Sequence, residues 1–150
     1  MKTAILYVSV HHKNTEKVVK SMAEVLSADL IDLAEQTAVD ISEYDMVGFA
    51  SGCFYHSMHE KIKKYIGETA FPQKQKVFLV CTCGINYRDY TKGIKKLLNE
   101  KGVSVIGSFQ CRGYDTFGPF EKIGGIAKEH PDEKDLDKAQ KFAKELTHKM

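Results

Sequence analysis

The chain has 150 residues, of which 43% are hydrophobic and 28% charged, with a formal net charge of +2. That is enough for one domain with a full core. Only two arginines, Arg88 and Arg112, stand among 22 basic residues, which argues against a nucleic-acid partner, and no apolar run approaches the ~20 residues that a membrane span requires.

The chain opens on "AILYV" at 4–8, a continuous apolar run expected of a strand buried on both faces. It carries no small-residue cleavage site, so it reads as a core strand and not a signal peptide, and a cytoplasmic location is the expectation. A polar turn follows, "SVHHKNT" at 9–15. Then Val18, Val19, Met22, Val25 and Leu26 recur at helical spacing. "DLIDLA" at 29–34 reads as a second strand and "DMVGFAS" at 45–51 as a third. Ser57 stands three residues before Glu60, a capping-box spacing for a helix whose stripe is Met58, Ile62, Tyr65 and Ile66. "KVFLVCT" at 76–82 is a fourth strand, followed by a helical stripe of Tyr90, Ile94, Leu97 and Leu98, with Gly102 as its stop. A fifth strand is expected around "VSVIGSF". The last helix starts at the candidate cap Asp132 and buries Leu136, Ala139, Ala143 and Leu146. Residues 112–131, Gly-rich and aromatic, show no period, and a connection that long is usually functional or disordered.

Strands alternating with helices predict a parallel sheet covered on both faces. The expected fold is a single α/β domain over 1–150 with a doubly wound five-stranded sheet; right-handed crossovers leave few topologies, of which the flavodoxin-like order 2-1-3-4-5 is common. In such sheets ligands bind outside the carboxyl ends of the strands, where the order reverses. That directs attention to the turns at 9–15, 51–57 and 82–90.

The first turn supplies Ser9 and Thr15 hydroxyls, the Asn14 amide, His11, His12 and Lys13, and the N–H groups of a helix start, all suited to an anion. Its alternative is a plain polar turn capped by Asn14 or Thr15. The second turn, "SGCFYHS", sets Phe54 and Tyr55 side by side after Ser51, Gly52 and Cys53. The third, "TCGINYRDY", offers Thr82, Cys83, Gly84 and Tyr87. Aromatic loops flanking an anion-binding turn point to a planar ligand carrying a phosphate, such as flavin mononucleotide (FMN). No Gly-x-Gly-x-x-Gly follows the first strand and no Gly-Lys-Ser/Thr loop occurs, which disfavours dinucleotide and P-loop sites.

Through "ILYVSVHHKNTEKVV", "YDMVGFASGCFY" and "VFLVCTCG" the chain resembles the short-chain flavodoxins over nearly its whole length. The resemblance implies an FMN cofactor and phosphate contacts from Asn14 and Thr15, with Ser9, His11, His12 and Lys13 around them. It also implies a ring contact from Phe54 beside Ser51, Gly52, Cys53 and Tyr55, and a second edge closed by Thr82, Cys83, Gly84 and Tyr87. Lys13 stands where the family usually has glycine. Tyr55 follows the aromatic where a glycine is frequent, and its side chain is expected to resist positive φ. The function implied is an electron carrier working with a reductase and an acceptor protein, with no catalytic residue of its own. The alternative is an FMN-dependent oxidoreductase acting on a quinone or protoporphyrinogen, its pocket walled by Tyr114, Phe117 and Phe120. A further alternative is a metal module using His56, His59 and Cys53, with His11 or His12. The four cysteines, Cys53, Cys81, Cys83 and Cys111, form no Cys-x-x-Cys pair and are expected to be reduced and mostly packed.

Overall fold

The apolar runs become strands because each must hide both of its faces, and helices on both sides of one sheet supply that cover. A computed structural model describes residues 1–10, 12–116 and 118–149. In chain order the elements are β1 (Thr3–Val8), α1 (Asn14–Leu26), β2 (Asp29–Asp32), β3 (Met46–Phe54), β4 (Ser57–Met58), α2 (Glu60–Glu68), β5 (Lys76–Cys83), α3 (Lys92–Glu100), β6 (Ser104–Arg112) and α4 (Glu133–Thr147). A short 3-10 turn at Gly118–Ile123 precedes α4.

The parallel strands run in the order β2-β1-β3-β5-β6, which is the expected 2-1-3-4-5 once the two-residue β4 is set aside. β4 pairs antiparallel with the end of β3, Cys53 with Met58 and Phe54 with Ser57. Alternation along β1 divides the core. Ala4, Leu6 and Val8 face the layer that includes Ile62, Ile66, Ile94 and Leu98 of α2 and α3. Ile5 and Tyr7 face the layer that includes Val18, Met22, Ala139 and Leu146 of α1 and α4. Phe49 and Phe78 are fully buried, one on each side.

Two helix ends follow their sequence signals. Asp132 caps α4 in a reciprocal box with Asp135. Gly102 takes φ 73° after α3, with its N–H on the Asn99 carbonyl and that of Val103 on Leu98, closing the last turn. The Ser57 box does not form. Ser57 is spent in β4, and α2 is capped two residues later by His59, whose Nδ1 accepts from the Lys61 N–H at 3.0 Å. The expected third strand also proves longer, because β3 continues through Phe54 into the hairpin with β4.

The crossover from β2 to β3 has no helix. Leu33 and Ile41 are buried beneath it, and side chains hold its backbone. Tyr65 Oη donates to the Val39 carbonyl at 2.7 Å, and Gln75 Nε2 donates to Ile41 and Tyr44 carbonyls at 2.7 and 2.8 Å. No helix of the described residues is long and apolar enough to cross a membrane.

Gln75 is 3% exposed, so Gln75→Leu removes one amide and leaves two carbonyls short of a donor. The expected cost is about 2 kcal/mol, read as a lower urea midpoint with an unchanged slope.

Candidate functional site

The parallel register delivers the three turns to one end of the sheet. Val8 is level with Ser51, and Gly52 with Thr82. Residues Val10, Asn14, Thr15, Gly52, Cys53, Phe54, Thr82, Cys83 and Gly84 line a common cleft there, which Gly113, Tyr114 and Asp115 complete from beyond β6. Every turn singled out in the sequence contributes. The last three residues do not belong to any of them.

The first turn reaches α1 through two left-handed residues, His12 (φ 52°) and Lys13 (φ 55°), with Lys13 as the N-cap and no side-chain cap of its own. Each costs roughly 1–2 kcal/mol for a residue with a Cβ, so the turn holds strain that the surroundings must carry. Asn14 and Thr15 are therefore inside the helix and are not its caps. Ser9 does part of the capping instead, its Oγ accepting from the Glu16 N–H at 3.1 Å. The Thr15 and Thr82 hydroxyls are hydrogen-bonded to each other at 2.9 Å in a buried link between the first and third turns. Asn14 is 7% exposed and its Nδ2 donates to the Tyr114 carbonyl at 2.8 Å, while its Oδ1 is buried without a partner among the described residues. His11 lies outside the described residues.

In the second turn, Tyr55 (φ 51°) and His56 (φ 64°) form the two-residue loop of the β3–β4 hairpin. Such loops need positive φ at both central positions and usually take Asn-Gly. Tyr55 thus adopts the positive φ that its side chain was expected to resist, because two closing strand pairs hold it there. Its ring is 84% exposed. Phe54 is half-buried and meets the His59 ring edge-on at 4.8 Å. The Ser51 hydroxyl is fully buried and ties the loop together, accepting from the His59 N–H at 2.9 Å and donating to the Gly52 carbonyl at 2.8 Å.

The third turn is held from a residue that its own sequence does not reveal. Gln110 of β6 accepts from the Tyr90 N–H at 3.0 Å and donates to the Arg88 carbonyl and Asn86 Oδ1, both at 2.7 Å. Tyr90 Oη donates to Ile85 at 2.9 Å. Tyr87 is left 58% exposed, its ring edge on Tyr90 and the Arg88 guanidinium 4.8 Å over it. The cysteines are free thiols. Burial pushes Cys53 up, and pushes Cys83 up to about 12 despite the nearby Arg112. Such thiols pack and are poor nucleophiles.

The expected metal constellation does not converge among the described residues. His59 is engaged as a cap and His56 lies parallel to Tyr90 at 6.3 Å. The described group with three close ligand atoms is His130, Asp132 and Asp135, two of which form the α4 capping box.

The donor set suits a phosphate carried on a flat ring: a helix start, His12 and the lysine Lys13 before it, and exposed aromatics on the second and third turns. The room does not suit it in this arrangement. The cleft offers about 30 Å³, space for a water and not for a phosphate. The residues that fill it come from 113–115, the beginning of the aperiodic stretch. Residues 113–115 of that stretch thus lie against the candidate site. Tyr114 and Phe120 of the same stretch are half-buried, and Phe117 lies outside the described residues.

A family model described as a flavodoxin domain matches residues 4–137. An uncharacterized protein of Methanocaldococcus jannaschii is 38% identical over 97% of this chain and 98% of its own length. Among solved structures, a flavodoxin from the domain Archaea superposes with a TM-score of 0.71 at 16% identity, covering 98% of this chain and 97% of its own. Oxidised flavodoxin 2 from Bacillus cereus gives 0.70 at 17% identity over the whole of both chains. At those identities the likeness is one of fold.

Burial and Lys61 lower the His59 pKa below its usual 6.5, against a smaller opposite pull from Glu60. Only the neutral ring can accept from Lys61, so its stabilising effect is complete above the unfolded pKa and is lost as pH falls through the lower folded value. Hydrogen exchange at Lys61 should therefore accelerate, relative to the intrinsic rate, as pH falls below about 6.5. His59→Asn, which keeps a cap, should flatten that dependence.

Proposed function

This chain belongs to the flavodoxin-domain family, and from that premise we propose that it binds FMN at the carboxyl ends of β1, β3 and β5 and serves as a redox carrier. The observation that carries the reading is the meeting of the three turns in one cleft, lined by Asn14 and Thr15 of the α1 start, with Tyr55 and Tyr87 exposed on two of those turns. Bound FMN supplies an electron-accepting ring; the chain supplies position, charge and access.

Asn14, Thr15 and the α1 N–H groups are the proposed phosphate holders, with Lys13 adding a positive charge and His12 a ring nitrogen beside them. Phe54 and Tyr55 on one side and Thr82, Cys83, Gly84 and Tyr87 on the other are the proposed ring walls. Ser9 and Ser51 act one step back, by fixing α1 and the second turn. The exposed apolar residues Val10, Tyr55, Ile85 and Tyr87 all sit on loops at this end. A patch of that kind suits brief docking of partner proteins, which favours a carrier between a reductase and an acceptor over an oxidoreductase acting on a quinone.

The purified protein should gain the visible absorption of bound flavin when FMN is added. Asn14→Ala should weaken that binding about tenfold or more, the effect of losing a hydrogen bond to a charged group. Unchanged affinity removes Asn14 from the site, and failure of the wild-type protein to bind FMN refutes the reading.

With a net charge of +2, and Lys13 and Arg88 on the turns at this end, added negative charge on the ring is favoured. A spectroelectrochemical titration should give a less negative potential for full reduction than acidic flavodoxins show.

A further inference from the structure

We propose that residues 113–116 form a strap that occupies the flavin site in the unliganded protein and is displaced when the phosphate enters. The proposal rests on the FMN reading above and adds to it the way the site is kept and opened.

The strap is seated in the place the ligand needs. The Tyr114 carbonyl takes the Asn14 Nδ2 hydrogen at 2.8 Å. The Tyr114 ring stacks on His12 with centroids 4.0 Å apart and planes at 28°. His12 Nε2 lies 3.0 Å from Thr116 Oγ1. Two of the residues expected to meet a phosphate are thus already engaged, and by an oxygen acceptor in the case of Asn14, as a phosphate would engage it.

The fit is tight, and two glycines make it so. A Cβ on Gly113 would lie 2.6 Å from Asn14 Nδ2, and one on Gly84 would lie 2.5 Å from Asp115 Oδ2 and 2.9 Å from Ile126. Any side chain at either position would push the strap off the turn. The strap is also braced from behind: Asp115 and Ile126 exchange both backbone hydrogen bonds, at 2.9 and 2.8 Å, and the Gly113 N–H is held by the Cys83 carbonyl at 2.8 Å.

Among the described residues its hold on the first turn includes one amide hydrogen bond, one ring stack and one exposed side-chain bond, and Tyr114 and Thr116 are half-buried. A ligand can replace the Asn14 bond with a charged one, at the cost of the stack and the Thr116 contact. The Oδ1 of Asn14, buried without a partner among the described residues, is a further reason for this residue to exchange partners. Opening therefore precedes or accompanies entry, and the protein without ligand exists mainly in the closed form.

The test is stopped-flow binding of FMN to the flavin-free protein, with the Tyr114 ring resonances followed by NMR in both states. The observed rate should level off at high FMN, where opening becomes limiting, and the Tyr114 ring should lose its stacking shift against His12 when FMN binds. Tyr114→Ala should raise the plateau rate about tenfold, and Thr116→Val, a milder change, should raise it less. A rate that stays linear in FMN together with an unchanged Tyr114 ring environment overturns the strap while leaving FMN binding intact. Absence of binding by the wild type and both variants, with their folds verified by circular dichroism, refutes the flavin reading and the strap with it.

Discussion

The in-register parallel pairing of β1, β3 and β5 is the constraint on which the rest depends. It brings Val8 level with Ser51, and Gly52 level with Thr82. Three turns that are distant in sequence therefore leave the sheet at one height. A slip of one residue would exchange the two core faces along a whole strand, and both faces here are filled by separate helix pairs. Packing thus locks the register, and the register assembles the cleft.

Strain collects where that assembly ends. His12, Lys13, Tyr55 and His56 are non-glycine residues at positive φ, two in each of the turns that flank the cleft. Glycine or asparagine would relieve each at little cost, so these side chains are kept against backbone preference. The surroundings hold them: α1 and the Ser9 bond on one side, the β3–β4 pairing and Ser51 on the other. In exchange, the end of the sheet carries imidazole, ammonium and phenol groups where more permissive turns would carry none.

Much of this was legible in the residues themselves. Apolar runs without alternation marked strands covered on both sides, and Asp132 and Gly102 marked helix ends through local chemistry alone. The turns that carry the site were also found, because strand order dictates where they must lie. What local spacing misjudged was Ser57, because a two-residue strand has no periodic signal and the hairpin with β3 took the residue that a capping box would have used. Gln110 and Tyr114 were missed as organisers of the site for a related reason. Each acts on a turn more than fifteen residues away, and nothing in the sequence around either announces its partner. The state of Asn14 was likewise beyond reach, since its amide is satisfied by a carbonyl 100 residues on.

The central claim is that these three turns form a flavin site, and the most direct test is a titration of FMN into the ¹⁵N-labelled protein followed by backbone amide shifts. The account predicts that the largest changes fall on Asn14 and Thr15, on Gly52 to Tyr55, on Thr82 to Tyr87, and on Gly113 to Thr116. Changes centred instead on the groove between the 33–40 loop and α2, where Val39 and Tyr65 face an open cavity of about 620 Å³, or no changes at all, would contradict it.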